Sequence, residues 1–162
     1  MGWRTGIGLL SVWLAMPSLA GDVVATGAWV RETVAGQTAS AAYVGLNSRG
    51  GGALVGVSSP LAQSASLHEM VLDNGVMKMR PMERLELPAG RPVALRPGSY
   101  HIMLLGLKRV LHPGESVPLA LRFRDRAGHE ETMDVVAAVR DLSGQTASGS
   151  AQQPHSHSHH MH

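Results

Sequence analysis

The amino-acid sequence predicts an all-β domain, either a sandwich or a barrel. From Asp22 onward, short apolar runs are broken by glycine, proline, asparagine and serine, and many short strands at this spacing are typical of those folds. Turn signals at 48–52, 88–90 and 113–114 separate the runs. No convincing helical period follows the first twenty residues, although 59–65 has the length of one helical turn.

Residues 1–20 are expected to be a signal peptide. Arg4 supplies a positive charge, 7–16 is a short apolar core, and 18–20 is a small-residue cleavage site. The core is shorter than the roughly 20 apolar residues that a membrane span needs. A retained signal anchor is the alternative. Cleavage would start the mature chain at Gly21 and place it in the periplasm.

Residues 21–141 are expected to form one β-domain with its own core. Alternation is clearest in one late strand, where Leu119, Leu121 and Phe123 share a face. Met133, in the last strand, is interpreted as core filler. In chain order, the predicted strands are 23–30, 41–46, 54–57, 66–72, 76–82, 92–95, 100–107, 117–124 and 130–139.

Composition excludes several classes of function. The formal net charge is +2 and aromatic residues make up 4% of the chain, so nucleic-acid binding is not expected. The chain has no cysteine, which excludes a disulfide framework, a zinc–thiolate site and a blue-copper electron-transfer site. No nucleophile–base pair or carboxylate pair stands out, so an enzyme is not expected.

After Asp141 the composition changes. Residues 142–154 contain little to bury and are predicted to be a flexible linker. A disordered tail rich in histidine and methionine follows at 155–162, and its imidazole cluster favours Cu(II), Zn(II) or Ni(II) over Cu(I). Cu(II) is the expected ion. A purification tag is the alternative, although the interspersed serines do not resemble one. The candidate tail ligands are His155, His157, His159, His160, Met161 and His162.

A hairpin is predicted around Asn74-Gly75, because this pair supplies the positive φ angles of a type I′ turn. The numbers of facing residues then sum to 149. Since side chains alternate, one face of the hairpin carries His68, Met70, Met77 and Met79. On the other face, Glu69 and Arg80 are expected to form an exposed ion pair.

His101 and Met103 are two residues apart, so they project from one side of the predicted strand 100–107. Tyr100, Ile102 and Leu104 would then point into the core. Together with the hairpin, this strand yields four candidate metal ligands. Two neutral imidazoles and two thioethers favour Cu(I) over harder cations. Each residue alone has an ordinary structural interpretation, as core methionine or surface histidine. The four are His68, Met79, His101 and Met103.

The same four residues satisfy the pattern H-x10-M-x21-H-x-M. In this, and in the stretches LHEMVLDNGVMKMRPME and LRPGSYHIMLLGLK, the chain resembles the periplasmic copper chaperones called PCuAC, from about residue 28 to 139. The resemblance implies a cupredoxin-like Greek-key β-sandwich that holds one Cu(I) at an exposed site. It further implies copper delivery for the CuA centre of cytochrome c oxidase, often alongside Sco-type proteins. Under this pattern Met70 neighbours the site, whereas Met77 and Met82 have packing roles.

Two binding functions remain open, and the protein is expected to be a monomer in both. A copper enzyme is the third alternative and is not expected, because the predicted mature terminus is Gly21 and not a copper-binding histidine. In the first it is a chaperone that carries copper to an acceptor. In the second it is a sequestration protein, whose tail buffers copper outside the cytoplasm.

Overall fold

The computed structural model describes residues 22–141, and within that range every regular element is a β-strand. The predicted signal peptide, linker and His-rich tail lie outside the described residues. In chain order the strands are β1 (Val23–Arg31), β2 (Ala39–Ser48), β3 (Gly52–Ser58), β4 (Ser64–Asp73), β5 (Val76–Met82), β6 (Leu85–Leu87), β7 (Val93–Ala94), β8 (His101–Leu105), β9 (Ser116–Arg124) and β10 (Glu130–Arg140).

All nine predicted strands are present, two of them shorter than expected. The strand predicted at 92–95 is reduced to the two residues of β7, and the one predicted at 100–107 is reduced to the five of β8. β6 was not predicted, because three residues are too short to show alternation. The helical turn suggested at 59–65 is instead an isolated hydrogen-bonded turn at 60–61, in which the Ala62 amide donates to the Ser59 carbonyl.

The strands pair in the order β5-β4-β8-β2-β1-β10-β9-β3-β6, and β7 pairs with β2. Several neighbouring strands in this order are distant in sequence. One such pair, β1 and β10, is parallel. β1 is irregular between Thr26 and Trp29, where Gly27 has a φ of +60°. β3 and β4 lie far apart in the strand order and yet are in contact. The sheet therefore folds over and encloses a single core, as the predicted all-β sandwich requires.

The core is aliphatic and follows strand alternation. In β9 the predicted face of Leu119, Leu121 and Phe123 is buried, and the residues between them are more exposed. Ile102 and Leu104 of β8 are fully buried, as predicted. His101 and Met103 therefore point to the opposite side of the same strand.

The β4–β5 hairpin has the predicted register. Asn74 and Gly75 have φ angles of 50° and 78°, and Met70 faces Met79 as Leu72 faces Met77. The expected ion pair between Glu69 and Arg80 does not form, although these residues face each other.

Asp73 at the turn attracts both nearby cations instead. Its carboxylate lies 2.7 Å from the Lys78 Nζ and 3.8 Å from the Arg80 guanidinium.

Among residues 22–141 there is no helix with the length and apolar character to cross a bilayer.

Candidate metal centre

The candidate site lies on three neighbouring strands, with β4 between β5 and β8. His68 of β4 faces His101 of β8, and their ring centroids are 5.7 Å apart. Met79 of β5 faces Met70, two residues along β4 from His68. Because these positions share parity, one face of the sheet carries all of these side chains. The site is thus built from residues distant in sequence but adjacent in the sheet.

His101 is the buried ligand candidate, with 6% of its surface exposed. Its Nδ1 lies 3.1 Å from the Ser99 carbonyl oxygen, and its Nε2 lies 3.0 Å from the Met79 sulfur. A carbonyl oxygen can only accept, so Nδ1 carries the proton that it donates to Ser99. In the neutral ring Nε2 then presents a lone pair toward the thioether. Two such donor atoms converge where a cation could bind both.

His68 sits beside this pair in a more open position. Its Nε2 lies 2.9 Å from the Ser66 hydroxyl oxygen. Its Nδ1 is buried and has no hydrogen-bond partner. Burial, and next the positive charge of a protonated His101, lower the pKa of His68. The ring is therefore biased toward the neutral form that binds metals.

The two methionines differ in accessibility. Met79 is 49% exposed, so its thioether can be reached from solvent. Met103 is half-buried, and its neighbours across the sheet are Ser66 of β4 and Ala41 of β2. The structure thus brings His101 into contact with Met79, stacks His68 beside His101, and places Met103 on the same face.

The remaining methionines of this region divide into three kinds. Met70 is half-buried opposite Met79, the position of a neighbour of the site. Met82 packs against the core, as predicted. The packing role expected for Met77 is wrong, because this side chain is 49% exposed. Its strand position was predicted correctly, but the hairpin end extends beyond the part of the sheet that other strands cover.

Sequence reasoning overlooked the residues that hold the two imidazoles. Ser66 precedes His68 by two residues, so parity alone could have placed it on the ligand face. Ser99 acts through its main-chain carbonyl, which leaves no signal in residue identity.

An aromatic pair continues the ligand face on the far side of His101. The β2–β8 register, extended by one residue, puts Tyr43 beside His101. Tyr43 stacks on Trp29 with a centroid distance of 4.3 Å, and burial raises the pKa of the phenol. Trp29 and Tyr43 therefore form an uncharged aromatic surface next to His101.

The donors that converge here are imidazole nitrogen and thioether sulfur. Within residues 22–141, no group of three or more His, Cys, Asp or Glu side chains is arranged to hold a metal. A mixed set of nitrogen and thioether donors suits a soft cation better than calcium, magnesium or manganese. His112 and His129 lie outside the site, and both are exposed as predicted.

Sequence comparison relates the chain to bacterial lipoproteins. The family model described as "Putative lipoprotein LpqE-like" matches residues 23–137. A protein of Leifsonia xyli subsp. xyli (strain CTCB07), described as "Putative lipoprotein Lxx21020", is 37% identical over 126 residues. That alignment covers 77% of this chain and 74% of the relative.

Structure comparison identifies similar folds among solved proteins. Apo-DR1885 from Deinococcus radiodurans is 30% identical, covers 87% of this chain and 97% of its own, and has a TM-score of 0.55. The same protein as CuI-DR1885 is 32% identical over 72% of this chain and 76% of its own, with a TM-score of 0.50. The apo PCuAC domain from PmoF1, at 24% identity, covers 75% of this chain and 95% of its own, with a TM-score of 0.59. These likenesses confirm the predicted cupredoxin-like Greek-key β-sandwich.

Proposed function

This chain belongs to the LpqE-like family, and we propose that it is a periplasmic copper chaperone rather than an enzyme. It binds one Cu(I) through His68, Met79, His101 and Met103. The observation that carries this proposal is the approach of His101 Nε2 to Met79 Sδ, 3.0 Å apart, together with the stacking of the His68 ring, whose Nδ1 has no partner, on the His101 ring. The likeness to CuI-DR1885, whose name states that it holds Cu(I), supports the choice of metal.

The position of the site suits transfer better than permanent storage. His101 is buried, whereas Met79 is half-exposed at the hairpin. An acceptor can therefore approach from the Met79 side and displace the thioether first, before the imidazoles release the ion. All four ligands are neutral when they bind copper, so the complex carries only the charge of Cu(I). We propose the CuA-bearing subunit of cytochrome c oxidase as the acceptor, with Sco-type proteins as further partners.

Export is part of the proposal. The family and its Leifsonia relative are both described as lipoproteins, which supports a location outside the cytoplasm. Because these 162 residues contain no cysteine, they offer no thiol for lipid attachment. The proposed export signal is residues 1–20, on the evidence of Arg4, the apolar run 7–16 and the small residues 18–20.

Alanine variants test the ligand set directly. Cu(I) affinity is measured by anaerobic competition with a chromophoric chelator. Each of His68→Ala, Met79→Ala, His101→Ala and Met103→Ala is expected to weaken binding by at least about tenfold, since even outer-sphere partners contribute that much. Met77→Ala is the matched control for Met79→Ala, because both side chains are 49% exposed on one face of the same hairpin. Wild-type affinity in the four ligand variants would contradict the proposal.

Copper buffering is the second candidate function, and the composition of residues 155–162 favours it. We propose that His155, His157, His159, His160, Met161 and His162 bind Cu(II). A chain ending at Asp141 separates the two functions in cells. Delivery by the folded site predicts that this deletion leaves both oxidase loading and copper tolerance unchanged. Buffering predicts that copper tolerance falls while oxidase loading is unchanged.

A further inference from the structure

The two histidines of the site have opposite hydrogen-bonding arrangements. His101 uses Nδ1 to donate to the Ser99 carbonyl, which leaves Nε2 facing Met79. His68 has its Nε2 against the Ser66 hydroxyl and its Nδ1 buried without a partner. The ring nitrogen that is not hydrogen-bonded to an oxygen atom is therefore Nε2 in His101 and Nδ1 in His68.

The direction of the Ser66 bond decides which nitrogen of His68 can bind a metal. If Nε2–H donates to the Ser66 hydroxyl oxygen, the lone pair of the neutral ring lies on Nδ1. The reverse direction would put the proton on Nδ1, where the donor would be buried with no acceptor. Either tautomer leaves Nδ1 buried without a partner in the protein, but a bound cation can satisfy only a lone pair there, so the first arrangement is the one that a metal site requires.

From this we infer that Cu(I) is bound by Nδ1 of His68 and by Nε2 of His101, and that Ser66 is the positioning residue that selects Nδ1. The inference rests on the proposed copper site and deepens it. The serine hydroxyl acts through the imidazole by fixing both its tautomer and its ring orientation. Ser99 has the equivalent role for His101, but it acts through its main-chain carbonyl, which a substitution does not remove. Side-chain substitution can therefore test only the role of Ser66.

Ser66 also lies next to two of the proposed ligands, His68 and Met103. Ser66 shares its face of β4 with His68 and faces Met103 across the β4–β8 pair. A small side chain here leaves room for the methionine, and its hydroxyl holds the imidazole. Threonine retains the hydroxyl and suits a strand, whereas alanine retains the space but loses the bond.

The test is nitrogen-15 NMR of the histidine rings in the wild-type protein. In the metal-free protein near pH 7.5, we expect the Nε2–H tautomer for His68 and the Nδ1–H tautomer for His101. Cu(I) is diamagnetic, so one equivalent should shift Nδ1 of His68 and Nε2 of His101 without broadening. A shift at Nε2 of His68, or an Nδ1–H tautomer before metal is added, would overturn the inference. A lack of response in both rings would instead overturn the proposed function.

Variants at Ser66 test its positioning role. Ser66→Ala should leave a mixture of His68 tautomers and weaken Cu(I) binding by about tenfold, the lower end for loss of an outer partner. Ser66→Thr should restore the Nε2–H tautomer and affinity within about twofold of wild type. Ser64→Ala, on the same face of β4 but exposed, is the control and should change neither. An unchanged tautomer in Ser66→Ala would show that the hydroxyl does not select Nδ1.

Discussion

Single residues of the site are distinguished by what lies around them rather than by their type. Met77 and Met79 are two positions apart and equally exposed, yet only Met79 contacts His101. Parity along the strand predicted the shared face of His68, Met70 and Met79 because it depends only on counting. It could not predict that Met77 is exposed, because the burial of a side chain depends on strands that are distant in sequence.

His68 is expected to make the stability of the metal-free protein depend on pH. Its pKa is lower in the folded chain than in the unfolded chain, chiefly because of burial. As the pH falls through about 6.5, the ordinary value, the unfolded state therefore takes up the proton first and stability is lost. Urea titrations between pH 7.5 and 5 should show a steeper loss for wild type than for His68→Gln. Parallel slopes would contradict this assignment.

Among the elements, the β4–β5 hairpin controls the geometry of the site. Its register followed from Asn74-Gly75 and strand alternation, both of them local signals, and the predicted sum of 149 is confirmed. The adjacency of β8 to β4 has no local signal, since 33 positions separate the facing residues His68 and His101. Before the structure, the two strands were linked only by the chemistry of their side chains and by the resemblance to PCuAC proteins.

Gly75 is expected to be essential to that register. Its φ of +78° is a left-handed conformation, and nothing lies near the position of an added Cβ, so only the backbone opposes a side chain. Gly75→Ala should lower the free energy of unfolding by about 1–2 kcal/mol in chemical denaturation. Asn74→Gly, which keeps a positive φ accessible, is the control and should cost much less. Equal stability of the two variants would show that the left-handed conformation of Gly75 does not oppose a side chain.

The core and the proposed copper site lie on the two faces of β8. Ile102 is fully buried, whereas Met103 on the other side is half-buried. Ile102→Ala should cost about 2–5 kcal/mol of unfolding free energy while the folded protein retains its Cu(I) affinity. Met103→Ala should cost less stability and more affinity. Denaturation and chelator competition on the same two samples test this, and loss of both properties in both variants would contradict it.

At the scale of the whole molecule, one folded-over sheet provides both the core and the site. The alternation that buries Leu119 and Leu121 of β9 also directs His68 and His101 to the face of β4 and β8 that points away from the core. The sequence was sufficient for the all-β class and nearly every strand, because strand alternation is local. It was insufficient for β6 and for the strand order, which depend on packing across the whole chain.

Copper K-edge absorption of the Cu(I)-loaded protein tests the central claim most directly, because it reports the atoms bound to the metal. A chain ending at Asp141 isolates the folded site from residues 142–162. For this chain we predict two nitrogen and two sulfur scatterers, with one sulfur lost in Met79→Ala and none lost in Met77→Ala. A shell of nitrogen and oxygen alone, or a sulfur shell that Met79→Ala leaves intact, would contradict Cu(I) binding by His68, Met79, His101 and Met103.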